Sequence, residues 1–146
     1  LDLSFVLNNS KAGKDAQSFL KKSYDNNIKK FKEMEENLKS KEKDLLSKKE
    51  DLSKKEYNKQ TDSLRKEVIE YQSTRRSALD KITSQRAESR KKLMETVEPI
   101  VDDYIKDNNI SLVIDKKGTF GGNPDIDITK YIVDTLNKKL PSLNLQ

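Results

Sequence analysis

The sequence contains no cysteine, histidine or tryptophan, and it has only 3 prolines and 4 glycines among 146 residues. Without cysteine, disulfides, thiol catalysis and cysteine-based zinc sites are excluded. Without histidine, a Ser-His-Asp triad and histidine metal ligands are excluded as well. No glycine-rich phosphate-binding motif is present. The sequence therefore predicts a protein that is not an enzyme, needs no cofactor and does not use ATP.

Apolar residues are also scarce: 32% of residues are hydrophobic against 38% charged, and the mean hydropathy is -0.95. A chain this polar cannot bury one large core, because the apolar area removed from water would not offset the conformational entropy lost on folding. No apolar run approaches the roughly 18 residues of a membrane-spanning helix. Because proline and glycine are rare and the apolar residues recur regularly, elongated helices are favoured over disorder.

Residues 14–107 are predicted to form a long antiparallel helical hairpin of coiled-coil type. Apolar side chains in its first half lie seven residues apart, the spacing of a coiled-coil seam. They are Tyr24, Phe31, Leu38, Leu45 and Leu52. A second apolar series runs from Leu64 to Tyr104. The least apolar window lies between the two series, so the tip of the hairpin is placed near residues 47–58.

The residues outside the hairpin, 1–13 and 108–146, are predicted to form one small body. Pro99 is expected to bend the second helix, and Asn108 and Asn109 are expected to end it, because asparagine tolerates the left-handed conformation of a helix C-cap. Residues 110–115 are β-branched and apolar, which predicts a strand. A further helix is predicted to begin near Asp127. The fold class is therefore α+β, mostly α, with the hairpin attached to a β-containing body.

The body has about 50 residues, a size that is marginal when it folds alone, so oligomerisation is expected. Apolar residues of the predicted strand and final helix are the candidates for the core of the oligomer. They are Leu112, Ile114, Tyr131, Ile132 and Leu136.

Two segments resemble the Skp/OmpH family. Ile110-Ser111-Leu112-Val113-Ile114-Asp115, a turn, Asp125-Ile126-Asp127-Ile128-Thr129 and a helix ending Leu136-Asn137-Lys138 are similar to the family's "DLVVD … DIT … L" arrangement. The segment from Leu7 to Ala16 is similar to the "vl..s.agk.a" opening of the family's first long helix. Family members begin with an apolar strand, and this chain is expected to start inside that strand, at Leu1-Asp2.

The resemblance implies a homotrimer in which strands form a small barrel between subunits and three hairpins project as tentacles around a cavity. Unfolded outer-membrane proteins are held there without ATP, which prevents their aggregation. The implied compartment is the periplasm, with the signal peptide removed. The alternative is a structural or adaptor coiled-coil protein. A lesser alternative is a basic protein that binds nucleic acid or anionic lipid.

Some apolar residues of the hairpin are candidates for client contact, although the same residues would serve simply to pack one arm on the other. The candidates are Tyr24, Phe31, Leu38, Leu45 and Tyr71. Residues 39–66 carry 10 basic and 6 acidic side chains. This excess predicts an electrostatic tip formed by Lys48, Lys49, Lys54, Lys55, Lys59, Arg65 and Lys66. An anionic lipid or lipopolysaccharide surface is a further candidate partner, and nucleic acid is disfavoured because Tyr57 is the only aromatic residue there.

Overall fold

The computed structural model describes residues 1–145 and is mostly helical, as predicted. Its helices are α1 (Leu3–Asn9), α2 (Lys11–Ser47), α3 (Lys54–Asp107) and α4 (Thr129–Lys139). Two short 3₁₀ turns span Lys116–Gly118 and Pro124–Ile126. The chain divides into two compact units, which we call the hairpin unit (Lys22–Thr83) and the body unit (Leu1–Lys21 with the chain from Ser84 onward).

The predicted β-containing body is not present in the single chain, since no strand occurs within residues 1–145. The segment 110–115 has no regular structure. Within residues 1–145, the long-range backbone pairing at its end is with Leu1 alone, whose carbonyl accepts from the Lys116 amide at 2.9 Å and whose nitrogen donates to the Ile114 carbonyl at 3.3 Å. A strand needs a continuous row of paired backbone groups, and one residue does not supply it.

The expected strand at the start of the chain is also wrong, because α1 begins at Leu3. The Asp2 carboxylate accepts a hydrogen bond from the Phe5 amide at 2.8 Å, which satisfies one of the free amides of the first turn. Val6 and Leu7 then face the core of the body unit. A local cap and two buried side chains therefore give this apolar segment a helical conformation.

The end of α3 confirms the prediction made from Asn108 and Asn109. Asn109 has a φ of 54°, in the left-handed region. The Ile110 amide donates to the Ile105 carbonyl at 3.0 Å, and the Asn109 amide donates to the Lys106 carbonyl at 3.4 Å. These two bonds form a Schellman motif, which satisfies the last carbonyls of the helix. Helix α3 continues on both sides of Pro99.

The core of the body unit joins residues that are far apart in sequence. It consists of Val6, Leu7, Ala12, Leu93, Val97, Ile100, Ile128, Ile132 and Leu136. Polar bonds from α4 reinforce this packing: the Thr129 hydroxyl accepts from the Asp2 amide at 2.7 Å, and the Asn137 side chain accepts from the Lys11 amide at 2.7 Å. The start of α1 and the start of α2 are thus both attached to α4.

In the hairpin unit, α2 and α3 pack as an antiparallel pair. Glu35 is 3.2 Å from Arg75, and Lys41 is 2.6 Å from Glu67, so partners on α3 move backwards as positions on α2 move forwards. The connection between the helices runs from Lys48 to Ser53.

Candidate functional site

The seam between the two arms of the hairpin unit is held by an aromatic pair and a polar cluster. The rings of Phe31 and Tyr71 meet edge to face, with centroids 6.2 Å apart and an interplanar angle of 78°. The Tyr71 hydroxyl donates to Glu35, which also accepts from Arg75 at 3.2 Å. Acceptance by Glu35 raises the pKa of Tyr71, because ionisation of the hydroxyl would place a second negative charge beside the carboxylate. The Tyr71 hydroxyl therefore remains a donor.

Three of the five client-contact candidates are buried in this seam. Phe31, Leu45 and Tyr71 each contribute to the packing of one arm on the other. Leu38 is partly buried, and Tyr24 is exposed. Within one chain, packing of the arms therefore buries two of the five heptad positions, Phe31 and Leu45.

An apolar groove lies between the arms, close to the turn, with a volume of about 560 Å³. Its apolar lining is formed by Leu38, Leu45, Leu46, Tyr57, Leu64, Val68 and Ile69. Glu42, Thr61, Arg65 and Gln72 supply its polar edges. Ligand sites are usually concave, predominantly apolar and about 300–1,000 Å³ in volume, so the groove has the size and the lining of a binding site.

Two groove residues that heptad spacing missed are the most accessible part of its apolar lining. Leu46 is 58% exposed and Ile69 is 65% exposed. Each directly follows an apolar residue that points toward the seam, Leu45 or Val68. Consecutive residues lie about 100° apart around a helix, so the second member of each pair extends the apolar stripe beyond the seam. The signal in the sequence was the pair of adjacent apolar residues on each arm.

The residues of the predicted electrostatic tip lie at the turn and on the first turns of α3. Lys48 and Lys49 lie in the connection, and Lys54 and Lys55 begin α3. All seven predicted side chains, including Lys59, Arg65 and Lys66, are exposed. Arg65 lies 3.4 Å from Asp62 on its own helix.

A capping box fixes the start of α3 beside these lysines. The Ser53 hydroxyl donates to the Glu56 carboxylate at 2.5 Å, and the Glu56 amide donates to the Ser53 hydroxyl oxygen at 3.3 Å. The pKa of Glu56 is lowered by the bond that its carboxylate accepts from the Ser53 hydroxyl and by one that it accepts from the Ser53 amide at 3.3 Å, since both favour the ionised carboxylate. The S-x-x-E spacing of this motif was visible in the sequence.

The structure separates the five oligomer-core candidates into two groups. Ile132 and Leu136 are completely buried in the core of the body unit. Leu112 and Ile114, in contrast, are 71% and 54% exposed. Tyr131 is half exposed, with its ring 4.6 Å from that of Tyr104. Only the second group is accessible to another molecule.

Residues 1–145 contain no cluster of three acidic side chains that could hold a metal ion. In the same range, no helix is both long enough and apolar enough to cross a membrane.

The family model described as outer membrane protein (OmpH-like) matches residues 1–136. The chain belongs to the Skp/OmpH family. The OmpH-like fold is also seen in the crystal structure of a proposed outer membrane chaperone (OmpH-like) from Caulobacter crescentus CB15, which is 16% identical in sequence. The TM-score is 0.90, and the alignment covers 99% of this chain and 86% of that one. No curated protein matches the sequence.

Membership of the Skp/OmpH family supports a chaperone role in general. The family is not known for catalysis, and its members are periplasmic in general.

Proposed function

We propose that this OmpH-like protein is an ATP-independent periplasmic holdase that binds unfolded outer-membrane proteins in a cavity between the helical hairpins of a homotrimer. The observation that carries the proposal is the exposure of Leu46 and Ile69 on the hairpin unit, in a groove that the arms leave unfilled. Apolar surface that remains exposed in a folded chain is typical of an interaction site. A holdase needs such surface to bind the unfolded state and so lower the concentration that can aggregate.

The body unit supports the oligomeric part of the proposal. Leu112, Ile114 and Tyr131 are exposed, while the rest of the same unit has a well-packed core. A second and third copy would cover this surface and could pair the backbone of segment 110–115, which has no strand partner in its own chain. Three hairpins acting together would then convert weak individual contacts into a high overall affinity.

The test combines mass with activity. The purified protein is examined by light scattering alone and then with urea-unfolded porin diluted into buffer. We expect the mass of a trimer, uptake of one client, and suppressed aggregation at a near-stoichiometric ratio. Unchanged porin aggregation would contradict the holdase proposal.

A structural or adaptor coiled coil is the second candidate, and the buried Phe31–Tyr71 contact favours it. The ring pair, with Glu35 and Arg75, is the type of specific seam that holds two helices in one register. An adaptor would bind folded partners and leave porin aggregation unaffected, so the same assay separates the two functions.

A further inference from the structure

The groove of the hairpin unit has the dimensions of a short extended segment. On α2 its lining runs from Leu38 to Leu46, and on α3 from Tyr57 to Gln72. At about 1.5 Å per residue, these lengths are about 12 and 22 Å. An extended chain rises about 3.3 Å per residue, so about four to seven residues would fill the groove.

The lining of the groove is suited to a bound segment in which apolar and polar side chains alternate. Leu45 is buried between the arms, while Leu46 and Ile69 are exposed at the sides. An extended segment presents every second side chain to one face, so an alternating segment would place its apolar residues toward Leu45 and its polar residues toward water. Few polar groups of the lining would lose water on binding, since most of the lining is apolar.

Charge near the turn indicates one end of the segment. Within the lining, Glu42 and Arg65 are of opposite sign. Residues 48–66, at the turn end of the groove, include seven basic and four acidic side chains, whereas Glu67 and Glu70 lie toward its other end. Acidic residues at the turn end of a bound segment would therefore meet a basic rim, and basic residues there would be repelled.

We infer that the groove binds one extended segment of an unfolded chain, with alternating apolar residues and with acidic residues at the end that lies nearest the turn. This inference rests on the proposed function and specifies the part of the client that the hairpin recognises. Alternation of this kind is the pattern of a strand with one apolar face.

The test uses the full protein and a fluorescein-labelled peptide in which Val and Leu alternate with Thr and Asp residues flank both ends. The double variant Leu46→Gln with Ile69→Gln removes the two exposed walls and leaves the buried seam intact. Its matched control is Ile28→Gln, which removes an exposed apolar side chain of the same unit outside the groove. Circular dichroism checks that both variants keep the helix content of the parent.

We expect at least tenfold weaker peptide binding by fluorescence anisotropy for the double variant, and less than twofold change for the control. Replacement of the flanking Asp by Lys in the peptide should also weaken binding severalfold at low salt. A photoreactive residue at the centre of the peptide should crosslink within residues 38–46 or 57–72. Equal affinity of parent and double variant would overturn the inference, as would crosslinking elsewhere or preference for an amphipathic helical peptide.

The porin assay distinguishes this inference from the proposed function. If the double variant suppresses aggregation as well as the parent and binds the peptide equally, the groove is not the site, although the holdase function remains. If the parent binds the peptide in the groove but does not suppress aggregation, the site remains and the holdase function is wrong.

Discussion

The carbonyl oxygen of Leu7 lies 1.9 Å from the position that a Cβ atom would occupy at Gly13. Both residues are buried at the junction of α1 and α2, where the Gly13 amide donates to the Ser10 hydroxyl at 3.1 Å. A side chain at position 13 cannot be accommodated unless the backbone of one helix moves. Glycine is therefore required here for close approach.

We expect Gly13→Ala to destabilise the protein by about 1–3 kcal/mol, the usual cost of overpacking a core. This direction opposes helix propensity, which favours alanine over glycine by about 1 kcal/mol. Urea unfolding monitored by circular dichroism measures the difference. The matched control is Gly118→Ala, because a Cβ at position 118 would have no atom within 4 Å. Equal stability of the two variants would contradict the steric argument.

The contribution of Asp127 to the free energy of unfolding should depend on pH. Its carboxylate accepts from the Thr129 hydroxyl and amide and from Lys116 at 2.9 Å, and these bonds hold its pKa well below the usual range. A lowered pKa in the folded state contributes stability above the pKa of the unfolded state, about 3.9, and that contribution is lost as the pH falls further.

The variant Asp127→Asn should accordingly melt at a lower temperature than the parent at pH 7. The difference should begin to shrink as the pH falls below about 4, since the unfolded parent then takes up a proton at Asp127 that the folded state does not bind, which lowers the free energy of unfolding. Thermal unfolding at pH 7, 4 and 2.5 gives the comparison. The matched control is Asp125→Asn, which removes an exposed carboxylate from the adjacent 3₁₀ turn. A constant difference for Asp127→Asn across this range would be evidence against the linkage.

Ile114→Asp tests self-association of the body unit. The side chain is half exposed in the single chain, so the substitution leaves the chain's own core intact while placing a charge on the proposed interface. We expect monomers by analytical ultracentrifugation, with unchanged helix content. Ser111→Asp adds the same charge to the same segment at an exposed polar position, and it should remain a trimer. If the Ile114→Asp variant is still a trimer, Ile114 does not lie in the trimer interface.

Charge reversal at the turn should change the rate of client capture. Because Lys48, Lys49, Lys54 and Lys55 are exposed, their attraction for an acidic client acts over about 8 Å at physiological salt and affects encounter more than final affinity. With all four changed to Glu, we expect association severalfold slower at low salt and dissociation nearly unchanged. Stopped-flow fluorescence measures both rates.

The effect of charge reversal should decrease toward roughly 0.5 M salt, where the screening length is about 4 Å. Reversal of Lys21, Lys22, Lys29 and Lys30 to Glu changes four exposed lysines outside residues 39–66 and serves as the control for net charge. Equal association rates for parent and tip variant at low ionic strength would show that these lysines have no steering role.

Features that depend on nearby residues could be predicted from the sequence. Heptad spacing predicted the helical hairpin, because the period of apolar residues determines which face of a helix is buried. Asn108 and Asn109 predicted the end of α3, whereas the capping box that fixes its start, Ser53 with Glu56, was not used and the tip was placed only near residues 47–58. In each case the stabilising interaction lies within one or two helical turns, so the residues themselves specify it.

The missing strand shows where local preference is insufficient. Residues 110–115 have strand propensity, but a strand exists only when its backbone groups are paired, and the single chain pairs only the end of this segment with Leu1. The apolar start of the chain was likewise expected to be a strand, but it forms α1 because Val6 and Leu7 pack in one core with residues of α3 and α4.

By itself, the sequence determined that the chain is helical, lacks histidine and cysteine chemistry, and carries a basic stretch between two apolar series. Only the tertiary structure decided which apolar side chains remain exposed. Leu45 and Leu46 are neighbours of the same residue type, yet one is buried and the other is 58% exposed. Tyr131 and Ile132 are also adjacent in sequence, and only Ile132 is fully buried. Burial depends on residues distant in sequence that occupy the space around a side chain, and apolar spacing along one helix does not specify them.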